Sequence, residues 1–497
     1  MAKNLSLDGN SNIIYGGKRM SSMVGSPAAA RIEALLDPGS FVEIGAAVTA
    51  RSTDFNLSDK KQPSDGVITG YGLINDSLVY VYSQDFSVMK GTIGEMHAKK
   101  IVRIIDMAVK MGAPVIGLID SAGMRLEEAS DALQAFGGIY MAMSNASGVV
   151  PMVTGIFGSC GGGMALVPAL SDFVFMEADQ AKLFVNSPNA IPENYAGKND
   201  TDSAAFQSSE AGMVDVVGTE ADILACMRAL LTVLPANNED DAYDASFADD
   251  LNRLVTDAAA CKADPALLLP RLADSGVYFE AKPDYGKDMV TALFRLGGNT
   301  VGAVANRTSL YDADGSVAES FDGEISARGA RKAASFVKFC DAFGIPVVTL
   351  TNANHFKATQ CSETHIAKAA AELAYAFTSA TTPKINVITG EAFGSAGLVM
   401  NSRSLGADLV YAWTDAKCGM MDAASAAKIM YDGAGGDVIA EQTKAYDALQ
   451  NSVEAAAARG YVDTVIAPEE TRKYLIGAIE MLFTKREFRP DKKHGTV

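Results

Sequence analysis

The sequence predicts an α/β protein in which one layered unit, with largely parallel strands, is built twice. Three observations predict it: glycine and proline landmarks at a constant spacing, the same order of helices and strands in each half, and small-residue loops at matching places. The stretch RKAASFVKFCDAFGIPVVTLT (331–351) echoes KKIVRIIDMAVKMGAPVIGLI (99–119). Gly112 matches Gly344, Pro114 matches Pro346, Pro151 matches Pro383, Gly158 matches Gly390 and Gly162 matches Gly394, each pair 232 positions apart. After a four-residue slip, SDFVFM (171–176) resembles ADLVYA (407–412), with Asp172 opposite Asp408. Self-similarity at a fixed offset marks a duplication.

Each half opens with a helix that is apolar at i, i+3, i+4 and i+7: Ile101, Ile104, Ile105, Ala108, then Ala330, Ala333, Ala334, Val337. A Gly-x-Pro turn leads into a short β-branched strand, VIGLID or VVTLT. A loop, a second helix, a strand after proline (MVTGIF, KINVIT) and a glycine-containing loop follow. In the second half, Ser362 is a plausible N-cap for a helix with Ile366, Ala369, Ala370, Leu373 and Phe377 on one face. Alternating strands and helices mean layers around a parallel sheet, with ligands beyond the carboxyl ends of the strands. The expected division is 1–245, a linker region over 246–275 next to the acidic LPANNEDDAYDASFADDLNR (234–253), and 276–497.

Composition narrows the function. The chain has 497 residues, 48% hydrophobic and 21% charged, which is ordinary for a globular protein of more than one domain. A net charge of −18 argues against nucleic acid or an anionic membrane as main partner. The six cysteines form no CxxC pair, and MAKNLSLDGN lacks the apolar core of a signal peptide, so a cytoplasmic location is expected. Residues 132–171 carry no Asp, Glu, Lys or Arg, but glycines and prolines interrupt the run, so a buried strand, loop and helix account for it better than a membrane span.

Two loops per half leave strands and enter helices: DSAGMR (120–125) with GSCGGGM (158–164), and NANHF (352–356) with GEAFGSAG (390–397). Small residues at a helix start expose backbone N–H groups that attract negative charge, and two such groups can form an oxyanion hole. Close packing of helix on strand also calls for glycine; recurrence in both halves favours the oxyanion reading. The four histidines, at 97, 355, 365 and 494, have no HExxH spacing, and no metal is expected. DSAGMR is not a GxSxG nucleophile elbow. Lys110, in AVKM, approaches a biotin-attachment sequence but reads as a solvated helix residue.

SQDFSVMKGTIGEMHAKKI, GAPVIGLIDSAGMRLEEA, SGVVPMVTGIFGSCGGGMALVPALSDFVFM and FVKFCDAFGIPVVTL resemble the carboxyltransferase component of biotin-dependent acyl-CoA carboxylases and decarboxylases. Within that family the pattern is similar to propionyl-CoA carboxylase β chains and to glutaconyl- and methylmalonyl-CoA decarboxylase α subunits. The resemblance runs from about residue 25 to the tail DKKHG (491–495). It implies two tandem crotonase-like domains and a homohexamer, a trimer of dimers, with active sites between the first half of one chain and the second half of another. Biotin would arrive on a separate carboxyl carrier protein, charged by a biotin carboxylase or served by membrane decarboxylase subunits.

Further implications concern the site. Carboxybiotin releases carbon dioxide, the ureido nitrogen takes the acyl α-proton, and the thioester enolate attacks the carbon dioxide. Carried over by motif, Gly162 and Gly163, assisted by Ala122 and Gly123, hold the thioester oxygen, while Ser395 and Ala396 hold the ureido oxygen. Gly161, Arg125 and Leu398 are expected near the substrate, and Asn354, His355, Phe356 and Gly394 on the biotin side. His355 either donates to the biotin carbonyl or is simply solvated. NANHFKATQ departs from the family's Asp-Val-Pro-Gly-Phe, keeping only Phe356, and Leu398 replaces an acidic residue of many propionyl-type enzymes. The propionyl/methylmalonyl-CoA class is expected. Alternatives are a sodium-translocating decarboxylase subunit, a non-catalytic scaffold, and a crotonase-type hydratase. The hydratase would need acids such as Glu127 and Glu128, whose spacing fits a solvent-facing turn better.

Overall fold

A computed structural model describes residues 25–51, 63–192 and 199–490. The N-terminal MAKNLSLDGN, the tail DKKHG and His494 lie outside the described residues. The first half supplies β1 (Val42–Glu43), β2 (Val67–Ile74), β3 (Ser77–Gln84), β4 (Val115–Ser121), β5 (Met152–Gly161), β6 (Phe173–Glu177), β7 (Lys182–Phe184) and β8 (Val216–Gly218). They order as β1-β2-β3-β4-β5-β6-β8, with β7 beside the end of β5. The hairpin β2–β3 is antiparallel; from β3 to β8 every pairing is parallel.

The second half repeats this. It contains β9 (Tyr278–Ala281), β10 (Met289–Leu296), β11 (Asn299–Asn306), β12 (Ser309–Tyr311), β13 (Val317–Ser320), β14 (Glu324–Ile325), β15 (Val347–Ala353) and β16 (His355–Phe356). After them come β17 (Lys384–Phe393), β18 (Leu409–Trp413), β19 (Lys417–Gly419) and β20 (Thr464–Ile466). Its sheet runs β9-β10-β11-β15-β17-β18-β20, with β19 beside β17. The hairpin β12–β13 and the short ladder β14–β16 stand apart.

The repeat extends to single hydrogen bonds. Asp172 accepts the N–H of Met152 at 2.8 Å and donates its own N–H to Met152 O at 2.9 Å. Asp408 does the same with Lys384, at 2.8 Å both times. Lys100 and Lys332 are also equivalent, and each is a buried ammonium. Lys100 Nζ donates to the carbonyls of Ser64 and Val67. Lys332 Nζ donates to those of Lys282, Tyr285 and Met289. Each lysine thus pins the turn that starts the first hairpin strand of its sheet. Burial pushes both amines down to about 8.

Strand residues alternate between cores, as a period of two requires. In β4, Val115 and Ile119 face one core, packed under helices Glu95–Met111 and Ala129–Ala146, with Ile101, Ile104, Ile105, Ala108 and Ile139. Ile116 and Leu118 face the other side, into a core that also holds Ala330, Ala333, Val337, Leu373 and Phe377 of the second half. The second half therefore lays its helix layer, Ala327–Ala342 and Ile366–Ser379, against the back of the first sheet. Phe339 meets Phe173 edge-on with ring centroids 5.0 Å apart. A third core, with Val348, Leu350, Val387 and Trp413, lies on the far side of the second sheet.

Two expectations change. The region 246–275 is not a bare linker: Val255, Ala258, Leu268, Leu269 and Leu272, the last three on helix Pro265–Leu272, belong to the third core. Ser362 does not cap the long helix: Thr359 caps a short helix Gln360–Glu363, its hydroxyl accepting the N–H of Ser362 at 3.1 Å, and the long helix starts at Ile366 after His365. Of its predicted face, Ile366, Ala369, Leu373 and Phe377 are buried and Ala370 is half-buried. The charge-free stretch resolves into a helix, β5 and a tight turn, and no helix among the described residues is long and apolar enough to cross a membrane.

Candidate active site

At the end of β4 the pairing with β5 slips between Ile119 and Ser121, so that Ser121 meets Cys160. The same slip occurs in β15, where Ala353 meets Ala392 of β17. This irregularity turns both loops away from their sheets. In the first half Gly123 comes close to Gly161, which precedes the turn Gly162–Ala165. A Cβ on Gly123, whose φ is +100°, would lie 3.3 Å from Gly161 O.

The glycines of GSCGGGM divide into two roles. Gly158 makes room for a carboxylate: a Cβ there would come within 2.1 Å of Asp120 Oδ1. Gly161 leaves space for the Phe184 ring and Gly163 for the Tyr140 hydroxyl. Gly162 has φ +61° and open space where a Cβ would be, so its need for glycine is conformational. That backbone turn starts the helical segment whose first N–H groups have no partner within it. Close packing thus explains Gly158, Gly161 and Gly163, and the backbone turn explains Gly162.

The four donors expected on the thioester side are not alike. Gly162 and Gly163 open the turn, and Gly163 is exposed. Tyr140 Oη donates to Gly163 O at 2.6 Å, which holds the peptide in place. Ala122 N–H is taken by Lys90 O at 3.0 Å, and Gly123 N–H by Ser121 Oγ at 3.1 Å. Of these two, only the Gly123 donor is held by a side-chain hydroxyl, a partner able to rotate away.

Arg125 does not face a ligand. Its guanidinium is fully buried, paired with Asp65 at 2.8 Å and Glu128 at 2.7 Å, and donates to Thr92 O at 2.8 Å. Glu128, expected in solvent, is buried with it and accepts the N–H of Glu95 at 2.6 Å. The cluster ties the Ala122–Arg125 loop to the segment before helix Glu95–Met111, where Ile93 pairs with Met124. His97 is buried beneath it, between Gln84 and Asp65 O, where burial and the nearby Arg125 push its imidazole well below its ordinary value. Lys110 is exposed, as expected of a solvated helix residue.

The second half repeats the frame with different side chains. Gly394, φ +54°, starts helix Gly394–Val399, which presents Ser395 outward and buries Ala396. Leu398 is exposed on the same helix, at 45%. Strand β16, His355–Phe356, packs against this helix, and Phe356 reaches the shared core. The equivalents of Ala122, Gly123 and Ser159 are Asn354, His355 and Glu391. Asn354 Nδ2 donates to Asp322 O at 2.8 Å and Glu391 Oε2 at 3.2 Å, while Asn354 Oδ1 meets His355 Nδ1. Glu391 and Tyr140 were not singled out from sequence, although aligning the two halves residue by residue would have exposed Glu391. No cluster of side chains that could hold a metal is present among the described residues.

Residues 26–497 match the carboxyl transferase domain family. The chain belongs to that family. This carboxyltransferase is 38% identical to the propionyl-CoA carboxylase β chain of Roseobacter denitrificans, over 97% of this chain and 96% of that protein. It is 37% identical to the methylmalonyl-CoA decarboxylase α subunit of Veillonella parvula, over 94% and 92% of the two chains. Among solved structures, a transcarboxylase 12S, described as a hexamer with hydrolysed methylmalonyl-coenzyme A bound, superimposes with a TM-score of 0.87 at 35% identity, covering 94% of this chain and 92% of the other. The carboxyltransferase accordingly has the duplicated crotonase-like fold.

Proposed function

We propose that this carboxyltransferase moves a carboxyl group between carrier-borne biotin and the α-carbon of an acyl-CoA of the propionyl/methylmalonyl class. The observation that carries the reading is the pair of backbone turns at Gly162 and Gly394, set at equivalent strand ends, one per half. The first half takes the thioester: N–H groups of Gly162 and Gly163 face its oxygen as negative charge develops, with Gly123 joining once Ser121 Oγ turns away. Fixed donors of this kind are worth about 10²–10³ in rate each.

The second half fits the cyclic urea of biotin. The Ser395–Ala396 turn offers N–H groups to a carbonyl oxygen, and the Asn354–His355 pair adds side-chain polarity beside it. When bound, biotin supplies the carrier of the carboxyl group and the nitrogen that exchanges the α-proton. The chain's own residues hold both oxygens. The exposed apolar Leu398 suits contact with a short acyl chain. Biotin on a separate carrier protein, a biotin carboxylase or membrane decarboxylase partners, and a homohexameric assembly complete the reading; the 12S hexamer supports the last.

The reverse half-reaction, in a decarboxylase, is the second reading, favoured by nearly equal identity to both kinds of relative. The test incubates the purified chain with free biotin and malonyl-, methylmalonyl- or glutaconyl-CoA and follows carboxyl loss by mass spectrometry. Biotin-dependent decarboxylation of methylmalonyl-CoA is expected. No biotin-dependent loss from any of the three would overturn the proposal.

A further inference from the structure

The duplicated frame lets the two halves be compared atom for atom, and the chemistry-bearing differences fall at one place. Where the first half has Ala122, Gly123 and Ser159, the second has Asn354, His355 and Glu391, joined by hydrogen bonds. The orientation of Asn354 is over-determined. Its Nδ2 faces Asp322 O and Glu391 Oε2, a carbonyl and a carboxylate oxygen, which accept and do not donate. The amide must therefore present its NH₂ to them and its Oδ1 to His355. A Cβ on Gly323 would stand 3.1 Å from Asn354 Nδ2, so the glycine makes room for this amide.

An amide oxygen only accepts, so His355 Nδ1 must carry the proton. In the neutral ring, Nε2 then holds a lone pair. His355 is exposed, on a strand packed against helix Gly394–Val399. We propose that His355 Nε2 accepts a hydrogen bond from a ureido N–H of biotin, and that Asn354 is the positioning residue that fixes the tautomer. This rests on the biotin reading of the second half. It reverses the donor role considered from sequence: a neutral His355 completes a site that donates to the ureido oxygen and accepts from its nitrogen.

Few charged groups face the imidazole. Glu391 reaches it through Asn354, and Glu324, opposite His355 in the β14–β16 ladder, is held by Lys357 at 2.6 Å. The Asp322 carboxylate accepts the Ser320 hydroxyl at 2.9 Å, and helix Gly394–Val399 carries no titratable side chain.

Equilibrium dialysis of free biotin against the intact chain reads the contact without turnover. KM for biotin and for acyl-CoA are measured alongside. His355→Leu and Asn354→Leu are expected to weaken biotin about ten-fold, the scale of one hydrogen bond, with KM for acyl-CoA unchanged. His355→Gln keeps an acceptor oxygen, so it should retain affinity. Wild-type affinity in His355→Leu would overturn the inference while leaving the transfer reaction standing. His355-dependent biotin binding without carboxyl transfer would do the reverse. A chain that binds no biotin at all overturns both.

Discussion

Asn352 holds in the second half the place that Asp120 holds in the first, and each side chain accepts a backbone N–H across a glycine. Asn352 Oδ1 takes the N–H of Glu391 at 2.9 Å over Gly390, and Asp120 takes that of Ser159 over Gly158. The hydrogen bond locks the strand just before it enters the turn at Gly162 or Gly394. Asp120 adds an ion pair to Arg31 at 3.4 Å, and burial raises its carboxyl above the ordinary range.

Adding a methyl group at either glycine should therefore break the lock. A Cβ would stand 2.1 Å from Asp120 Oδ1 in Gly158→Ala and 2.2 Å from Asn352 Oδ1 in Gly390→Ala. Each substitution is expected to cost about 1–3 kcal/mol of stability, read by denaturant unfolding. A loss much smaller than this would show that the side chains swing aside freely.

Gly162→Ala separates backbone strain from crowding. Nothing lies within 4 Å of the added carbon, but φ is +61°. The strain costs about 1–2 kcal/mol, so the melting temperature should fall by only a few degrees. Transfer should drop about 10²–10³-fold as the turn relaxes and its donors move. Near-normal kcat would remove Gly162 from the oxyanion site.

Arg125→Met leaves Asp65 and Glu128 buried without their cation. Breaking a buried pair in this way costs about 3–5 kcal/mol. Fluorescence-monitored unfolding should show it, and Arg125→Lys should fail to restore three separate contacts. A mild effect would mean that water reaches these carboxylates.

Lys332 makes stability depend on pH in a defined direction. Its amine titrates near 8 in the folded chain and at its ordinary 10.5 when unfolded, because burial disfavours the charge. Between those values the unfolded chain holds more protons, so this residue's contribution rises with pH; its penalty is full below 8 and gone above 10.5. The difference is on the order of 3 kcal/mol. The stability gap between wild type and Lys332→Met, followed across that window, isolates this slope from the opposing tyrosines and cysteines. A flat gap would place the Lys332 amine in water.

The architecture was legible because the duplicated landmarks sit at turns and strand ends, where glycine and proline are hard to replace. The Gly112 and Gly344 turns, with φ of +63° and +65°, are examples. The helix faces were legible from periodicity alone. Arg125 was not: a conspicuous charge beside a loop gives no sign that Asp65, sixty positions away, will bury it. Ser362 and Thr359 are equally good caps on paper, and only the extra short helix decides between them. The two roles of the glycine cluster needed the partners Asp120 and Phe184, which sequence does not place.

The middle core has a consequence for inheritance. Because Ile116 and Leu118 of one copy share an interior with Val337 and Phe377 of the other, neither copy has a complete inside of its own. A chain cut within 246–275 should stay together as a two-piece complex on size exclusion, and either piece made alone should aggregate. The twin loops can diverge in side chain, as Gly123 and His355 have done, while the scaffold between them remains one heritable unit.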